Sequence, residues 1–548
     1  MSMGNLDKKF IASLTPENVQ AVFDDLKRSK TDVVPRYRVK KTTDDAGNEV
    51  KHKELLDPIR IAKGCDGVTH KKFQEKMSDN AATICNEGKK GEYVFKPFME
   101  IETAKPPFSK GPDELEKARK ANKIRPISIS TIRDTVFQKI LADTLSDGKS
   151  GYAESKFKAS IDLNSYGYRD GKSSKLAVIH IQQYIEDGYV HIIDGDIKKF
   201  FDKINHNLLE KKMLSFFGSD NVLVQKYLRK FIKVRRIPPN CIDLYWKDRS
   251  CFEYRNVGIP QGGVLSGLLA NVFLYDFDLY VVNELMPVYQ FKYLRYADDF
   301  VLMFKEDTHA VVVFNKLADY LAKEGLTLHP LPPEQREEGK KYSDKLDLGK
   351  LSKNALDFLG FEITPDHLRV KGDNCKKFRK RIIKTLTDIK IKEIGPAYFY
   401  HVVTGINKRI TALEDDIEDE FHYNATFNGI DGEKGICPHC RKLIKKRSWI
   451  GYFMMIDDVR QLRNIDTMIR SEIYRDHRIR TNGKHLSERV FKDNLGGLKS
   501  VLKTYYEYKK QIRKYAQKGF CQNRNRYFNP ITQKIAVYPP CEVYNSDK

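Results

Sequence analysis

The sequence predicts an α+β chain of several domains, and three stretches carry that prediction. The apolar run VHII at residues 190–193 leads through a pair of carboxylates into KFFDKINHNLLEKKML, so a short strand feeds a helical pattern. FKYLRYADDFVLMF has β-favouring residues on both sides of Asp298 and Asp299, and reads as a hairpin with the pair at its turn. From about Asn374 onward the pattern is mostly helical. A length of 548 residues, with 41% hydrophobic and 11% aromatic residues, suits about two to four packed domains and excludes wholesale disorder.

Taken in order, a short helix is expected from Thr15 to Lys30, followed by a polar loop over residues 31–60. Helical pattern returns at Lys71–Met77 and at Ile132–Leu145, where Ile132, Val136, Ile140 and Leu141 share a face. Residues 257–274 place Pro260 and several glycines before the apolar run LLANVFL, a loop opening into a buried helix. Residues 330–352 are charged and proline-containing and read as an exposed insertion. DFLGFEITPDHLRV then reads as two short strands around a Pro-Asp turn. The helical remainder is broken by LEDDIEDE and by a glycine-rich stretch at 428–435, and no internal repeat is present.

Charge narrows the partner. Lys and Arg number 97 against 74 Asp and Glu, a net +23. Residues 421–548 hold 26 basic and 12 acidic residues, an excess of 14, so the last quarter carries more than half of the surplus. That distribution suits a polyanion held through its phosphates. No apolar run is long enough for a membrane helix, the start lacks the apolar core of a secretion signal, and the nine cysteines are mostly scattered. A cytoplasmic protein without a membrane partner is the expectation.

Asp196, Asp298 and Asp299 are the first candidates for chemistry. A carboxylate at a strand end and two at a hairpin turn converge if the strands are neighbours, and convergent carboxylates suit hard cations such as Mg2+. Two such ions about 4 Å apart clamp the attacking and leaving oxygens of a phosphoryl transfer.

These stretches are similar to motifs of bacterial reverse transcriptases of the group II intron and retron lineage. GDIKKFFDKINHNLL, with Asp196, resembles the family's first catalytic motif, and RYADDF, with Asp298 and Asp299, its second. GIPQGGVLSGLLANVFL resembles the nucleotide-binding loop and helix between them. KGCDGVT, KIRPISISTIRD and SYGYRDGKSS resemble fingers motifs, and FLGFEI the hairpin that grips the primer. The resemblance spans roughly residues 60–375, with seven motifs in order. It implies a right-hand polymerase: N-terminal extension 1–59, fingers 60–188, palm 189–375 with the insertion 330–352, helical thumb 376–480, and a basic, mainly helical C-terminal extension 481–548.

The resemblance also implies roles. Asp196, Asp298 and Asp299 hold two Mg2+ ions, with the carbonyl of Ile197 as a further ligand. Phe201 is the ring under the sugar that excludes a 2′-hydroxyl, with a core aromatic as the alternative. Gln261 and Gly262 pack against nucleotide and template. Lys123 and Arg125 reach the triphosphate, or else form a solvated basic face. Phe358, Leu359, Gly360 and Phe361 grip the primer. The substrates implied are dNTPs on an RNA template, with cDNA as product. The loop reads LSG at Leu265–Gly267 where relatives usually have LSP. The expected lysine after GLTLHP is displaced, leaving Lys340, Lys341, Lys345 and Lys350 as candidates to protonate pyrophosphate. Val403, Thr404 and Gly405 spell a retron motif but fall in a helical pattern and read as coincidence.

Cys437 and Cys440 form a Cys-x-x-Cys, half of a zinc site. The other half would come from His422, His477, His485 or Cys521, none at finger-like spacing, so an exposed turn is favoured over zinc and an HNH endonuclease is disfavoured. RKLIKKRSW and YYEYKKQIRKYAQKGFCQNRNRYF interleave cations with rings, which suits single-stranded nucleic acid. For Tyr505, Tyr506 and Tyr508, packing and binding stand level. The overall expectation is a reverse transcriptase working with a dedicated noncoding RNA in antiviral defence. The alternatives are an intron-type reverse transcriptase and maturase, and a non-enzymatic RNA-binding scaffold.

Overall fold

The computed structural model describes residues 3–30, 37–43, 49–55, 57, 59–105, 108, 111–146, 152–330, 348–350, 355–391, 393–411, 449–453, 455–507, 526–529 and 534–537. The chain divides into two compact units, each discontinuous in sequence. One comprises Met1–Asp170, Gly195–Val301 and Thr308–Leu346; the other comprises Gly171–Asp194, Leu302–Asp307 and Asp347–Lys548. Helices and short sheets mix in both, as an α+β chain requires.

In the first unit, the helix Pro16–Ser29 begins at Thr15, whose hydroxyl accepts the Asn18 N–H. It packs with Asn5–Ser13 against the buried helix Ile132–Ser146. Tyr93 stacks on Phe137 at 3.7 Å and donates its hydroxyl to the buried Asp134 at 2.7 Å. The strand Phe98–Ala104 runs antiparallel to Ile124–Ile129, and Arg236–Ile237 joins it on the other side. The strand Lys292–Tyr296 lies beside residues 299–301 of Asp299–Phe304, and residues 195–196 of His191–Asp196 flank the latter. The buried helix Ser266–Tyr280 packs against His206–Phe217.

In the second unit, Gly372–Thr387 packs against Pro396–Ile410 and Val459–Arg480, with Phe378 stacked on Trp449 at 4.4 Å. Arg480 donates to the carbonyls of Leu386, Ile389 and Ile391 at 2.8, 3.1 and 3.0 Å, satisfying acceptors where the first helix ends. The helical region expected beyond residue 374 is therefore present. Val403, Thr404 and Gly405 lie inside Pro396–Ile410, as expected.

Several expectations need correction. The loop placed at 31–60 contains a hairpin, Tyr37–Thr43 with Glu49–Leu55, whose many charged residues hid its alternation. The helical stretch after Asp196 is two helices, Phe200–Lys203 and His206–Phe217, because Asn205 caps the second by accepting the Leu208 N–H. Leu348–Lys350, assigned to the exposed insertion, pairs antiparallel with His191–Ile193. DFLGFEITPDHLRV forms three strands rather than two, Leu356–Phe358, Phe361–Ile363 and Leu368–Val370, because Leu359 and Gly360 turn the chain at positive φ. The C-terminal extension, expected to be mainly helical, includes the hairpin Arg526–Asn529 with Lys534–Val537.

Candidate active site

The site is built on the strand end at Asp196 and the turn between Lys292–Tyr296 and Asp299–Phe304. Asp196 is buried, and Asp298 and Asp299 are half-buried. The two elements meet through backbone: the Ile197 N–H donates to the Asp298 carbonyl at 3.4 Å. On the other side of the chain, the Lys198 and His329 N–H groups donate to the Thr327 and Asp196 carbonyls at 2.8 and 3.2 Å. Ile197 is thus bridged to Leu328 without using its own N–H or C=O in that ladder. In extended backbone both groups of a residue face the same edge, so the Ile197 carbonyl faces the Asp298 side.

Among the described residues, no group of three or more His, Cys, Asp or Glu side chains stands close enough to hold a metal ion. The three aspartates share one place in the fold, joined through the Ile197–Asp298 backbone bond. Their donor set, carboxylate oxygens with a backbone carbonyl on the same edge, is nonetheless the hard-oxygen kind that Mg2+ takes. His329 was missed by sequence reasoning; its Nε2 stands 3.4 Å from an Asp196 carboxylate oxygen.

Beneath the turn lies a buried ion pair that composition did not reveal. Arg295 and Asp278 are both fully buried. The Arg295 guanidinium donates to Asp278 at 2.9 and 2.5 Å, to Asn271 Oδ1 at 3.1 Å, to Ser165 Oγ at 3.0 Å and to the Ala297 carbonyl at 2.8 Å. Tyr293 donates its hydroxyl to Asp278 at 2.7 Å. Burial alone would lower the Arg295 guanidinium, but Asp278 and Tyr293 together outweigh that and hold it above its ordinary value. The bond to Ala297, which adopts φ 62°, fixes the backbone one residue before Asp298. The available signal was Asn271 and Asp278, seven positions apart and so on one face of a helix rich in apolar residues.

The loop before Ser266–Tyr280 is stitched to the same region. The Ile259 N–H donates to the Phe201 carbonyl and the Gly258 N–H to the Ile204 carbonyl, both at 2.8 Å. His206 Nε2 lies 2.7 Å from the Gly258 carbonyl. Gln261 accepts the Ser128 N–H on its carbonyl at 2.7 Å, and its side chain donates to Asp202 at 3.0 Å. Gly262 has φ 111°, and a Cβ there would come within 2.9 Å of the Ser128 carbonyl, so a bare glycine is required. Of the adjacent rings, Phe200 is buried near Phe273, whereas Phe201 is half-buried and meets Tyr168 edge-on at 6.2 Å. Lys123 and Arg125 are exposed at and beside the start of Ile124–Ile129, and Arg125 acts electrostatically on Tyr168. The first unit thus contains every residue expected to hold metal or to contact the incoming nucleotide, whereas Lys350, a candidate to protonate pyrophosphate, lies in the second unit opposite His191.

Residues 113–363 match the family model described as reverse transcriptase (RNA-dependent DNA polymerase). The chain therefore carries a reverse transcriptase domain, which includes the Asp196 strand, the Gln261 loop and the Asp298 turn. It is similar to protein YkfC of Escherichia coli (strain K12), 26% identical over 274 residues that cover 44% of this chain and 63% of that protein. It is similar to group II intron-encoded protein LtrA of Lactococcus lactis subsp. cremoris, 26% identical over 30% of this chain and 24% of that protein. The chain thus spans less than two thirds of these relatives. Among solved structures it overlaps apo telomerase from Candida tropicalis at 12% identity, covering 57% of this chain and 63% of that one, with a TM-score of 0.32.

The primer-grip residues lie in the second unit. Phe358 and Phe361 are buried, and the turn is held by Tyr452, which donates its hydroxyl to the Leu359 carbonyl at 3.1 Å, and by Asn374, which donates to the Gly360 carbonyl at 3.1 Å. Cys437, Cys440, His422, Cys521, Lys340, Lys341, Lys345 and Tyr508 lie outside the described residues. His477 is buried within Val459–Arg480, and His485 stacks on Tyr474 at 5.9 Å. Tyr505 is fully buried and bonds the Ile456 carbonyl, so it packs; Tyr506 is 51% exposed. Among the described residues no helix is long and apolar enough to cross a membrane.

Proposed function

We propose that the protein is an RNA-directed DNA polymerase that extends a primer hydroxyl on an RNA template with dNTPs, in the cytoplasm. One observation carries this reading: the Ile197–Asp298 backbone bond joins the strand end holding Asp196 to the turn holding Asp298 and Asp299, beside the Gln261 loop. Asp196, Asp298, Asp299 and the Ile197 carbonyl would hold Mg2+, which supplies charge stabilisation for phosphoryl transfer. The chain's own residues do the rest. Arg125 and Lys123 take the triphosphate, Phe201 selects the sugar, the Gly262 backbone admits nucleotide and template, and Phe358–Phe361 hold the primer. Catalysis then consists mainly of positioning charged groups. Purified protein with Mg2+, template, primer and dNTPs should incorporate nucleotide. The double variant Asp298→Ala, Asp299→Ala should lose roughly a thousandfold or more of that rate, several kcal/mol of lost charge stabilisation. Equal rates in both proteins would overturn the assignment.

For the biological role, we infer action with a dedicated noncoding RNA in antiviral defence, a reading supported by the atypical LSG loop and the insertion after His329. The similarity to intron-encoded LtrA favours the second reading, an intron-type enzyme that binds its own intron RNA. Sequencing the RNA and DNA that copurify with the protein separates the two. Phage protection that survives the double aspartate change removes the enzymatic form of the defence reading.

A further inference from the structure

Tyr168 has no role in the reading above, yet it is placed with unusual care. Its backbone has φ 57°, a left-handed conformation that is strained for a bulky residue and persists only where surroundings impose it. They do so on both sides. Asn271 donates to the Gly167 carbonyl at 2.7 Å, and the Tyr166 N–H donates to the Arg295 carbonyl at 2.9 Å. The next residue, Arg169, turns inward and pairs with the buried Glu154 at 2.7 Å. Tyr168 itself is left 61% exposed, its ring turned toward Phe201.

The ring rests on a glycine. A Cβ added at Gly267 would come within 2.5–2.7 Å of the Tyr168 Cβ, Cγ and Cδ1 atoms, so any side chain there would dislodge the ring. Gly267 is the second residue of the helix Ser266–Tyr280, so the ring packs on the bare first turn of that helix. The ring then meets Phe201 edge to face, at 6.2 Å between centroids and 86° between planes. Although much of its surface is open, the protein atoms crowded around the phenol, together with the carboxylates of Asp298 and Asp299, raise it above its ordinary value, with Arg125 opposing. The phenol therefore stands within electrostatic range of the groups assigned to metal and triphosphate.

We propose that Tyr168 is a positioning residue for sugar selection: seated on Gly267, its ring braces Phe201, so that preference for dNTP over rNTP depends on both rings. This rests on the polymerase reading. The test is single-nucleotide incorporation, comparing kcat/KM for a dNTP and the matching rNTP. Tyr168→Leu should lower the dNTP:rNTP ratio by roughly 3- to 10-fold, the range expected from losing one aromatic pair. Tyr168→Phe keeps the ring and should restore the ratio. Gly267→Ala, which displaces the ring without touching Tyr168, should lower it as Tyr168→Leu does. Phe201→Ala combined with Tyr168→Leu should be no less selective than Phe201→Ala alone. A Tyr168→Leu enzyme that slows equally with both nucleotides, leaving the ratio unchanged, overturns the inference. So does a double variant whose losses simply multiply. Failure of the polymerase reading is distinguishable, since the wild-type protein would then incorporate neither nucleotide, and both proposals would fall.

Discussion

Charge is placed differently around the Asp298 turn and among the helices of the second unit. At the turn, Arg295 and Asp278 are fully buried, and Tyr293, Asn271, Ser165 and the Ala297 carbonyl complete their hydrogen bonds. Along Gly372–Thr387, Lys384 pairs with Asp388 at 3.2 Å with side chains 72% and 58% exposed, while Phe378, Ile382 and Leu386 are buried. Directional bonds surround the first region on every side, whereas along Gly372–Thr387 apolar burial does most of the fixing and a many-armed cation, Arg480, acts only where the helix ends. A turn that presents two carboxylates in one orientation gains from a rigid, many-armed anchor beneath it, whereas a helix packed along its length gains from one only at its end.

The comparison can be broken at several points. Removing one buried charge should have the largest effect. Arg295→Met strands Asp278 and should cost about 3–5 kcal/mol in urea unfolding. Adding Asp278→Leu should return most of that stability but not the polymerase rate, because Ala297 loses its anchor in either protein. Recovery of both would show that the pair does not position the turn. In the helical region, Ile469→Ala, at a buried position, should cost about 2–5 kcal/mol by the same measurement without any accompanying charge effect. Lys384→Ala should cost less than about 1 kcal/mol, and added salt should shrink even that.

The smallest expected effect is a pH dependence. Burial holds the His206 imidazole below its ordinary value, with the Gly258 carbonyl partly offsetting it. The unfolded chain therefore takes up a proton at a higher pH than the folded one. The contribution is intact above about pH 6.5 and is lost progressively as pH falls through that value. His206→Gln should flatten the slope of unfolding free energy between about pH 5 and 7. An unchanged slope would mean that His206 is not the group responsible.

What sequence reading could reach follows from distance along the chain. Asp196, Asp298 and Asp299 were legible because each sits at a strand end or turn whose signals are local. The loop holding Gln261 was legible through its proline and glycines ahead of an apolar run. Arg295 was not, since its partners Ser165, Asn271 and Asp278 lie 130, 24 and 17 positions away, and a charged residue gives no sign in sequence that it is buried. His329 escaped notice because its contact with Asp196 depends on an antiparallel bridge that no local pattern announces. Tyr168 was quoted within a motif, but its seat on Gly267 exists only once the two segments are brought together. The strand Leu348–Lys350 was hidden by the polar run beside it.

That last strand has a consequence for how the chain can change. Residues 327–329 are fastened alongside 196–198, and residues 348–350 run antiparallel along 191–193, so one strand is bordered twice by the same returning chain. Each fastening sets its own register. Asp196 is itself one of the bonded residues, so its register against residues 327–329 is set locally, by bonds at its own end of the strand. A substitution that disturbs residues 348–350 therefore acts first on residues 191–193, at the opposite end of the strand from Asp196.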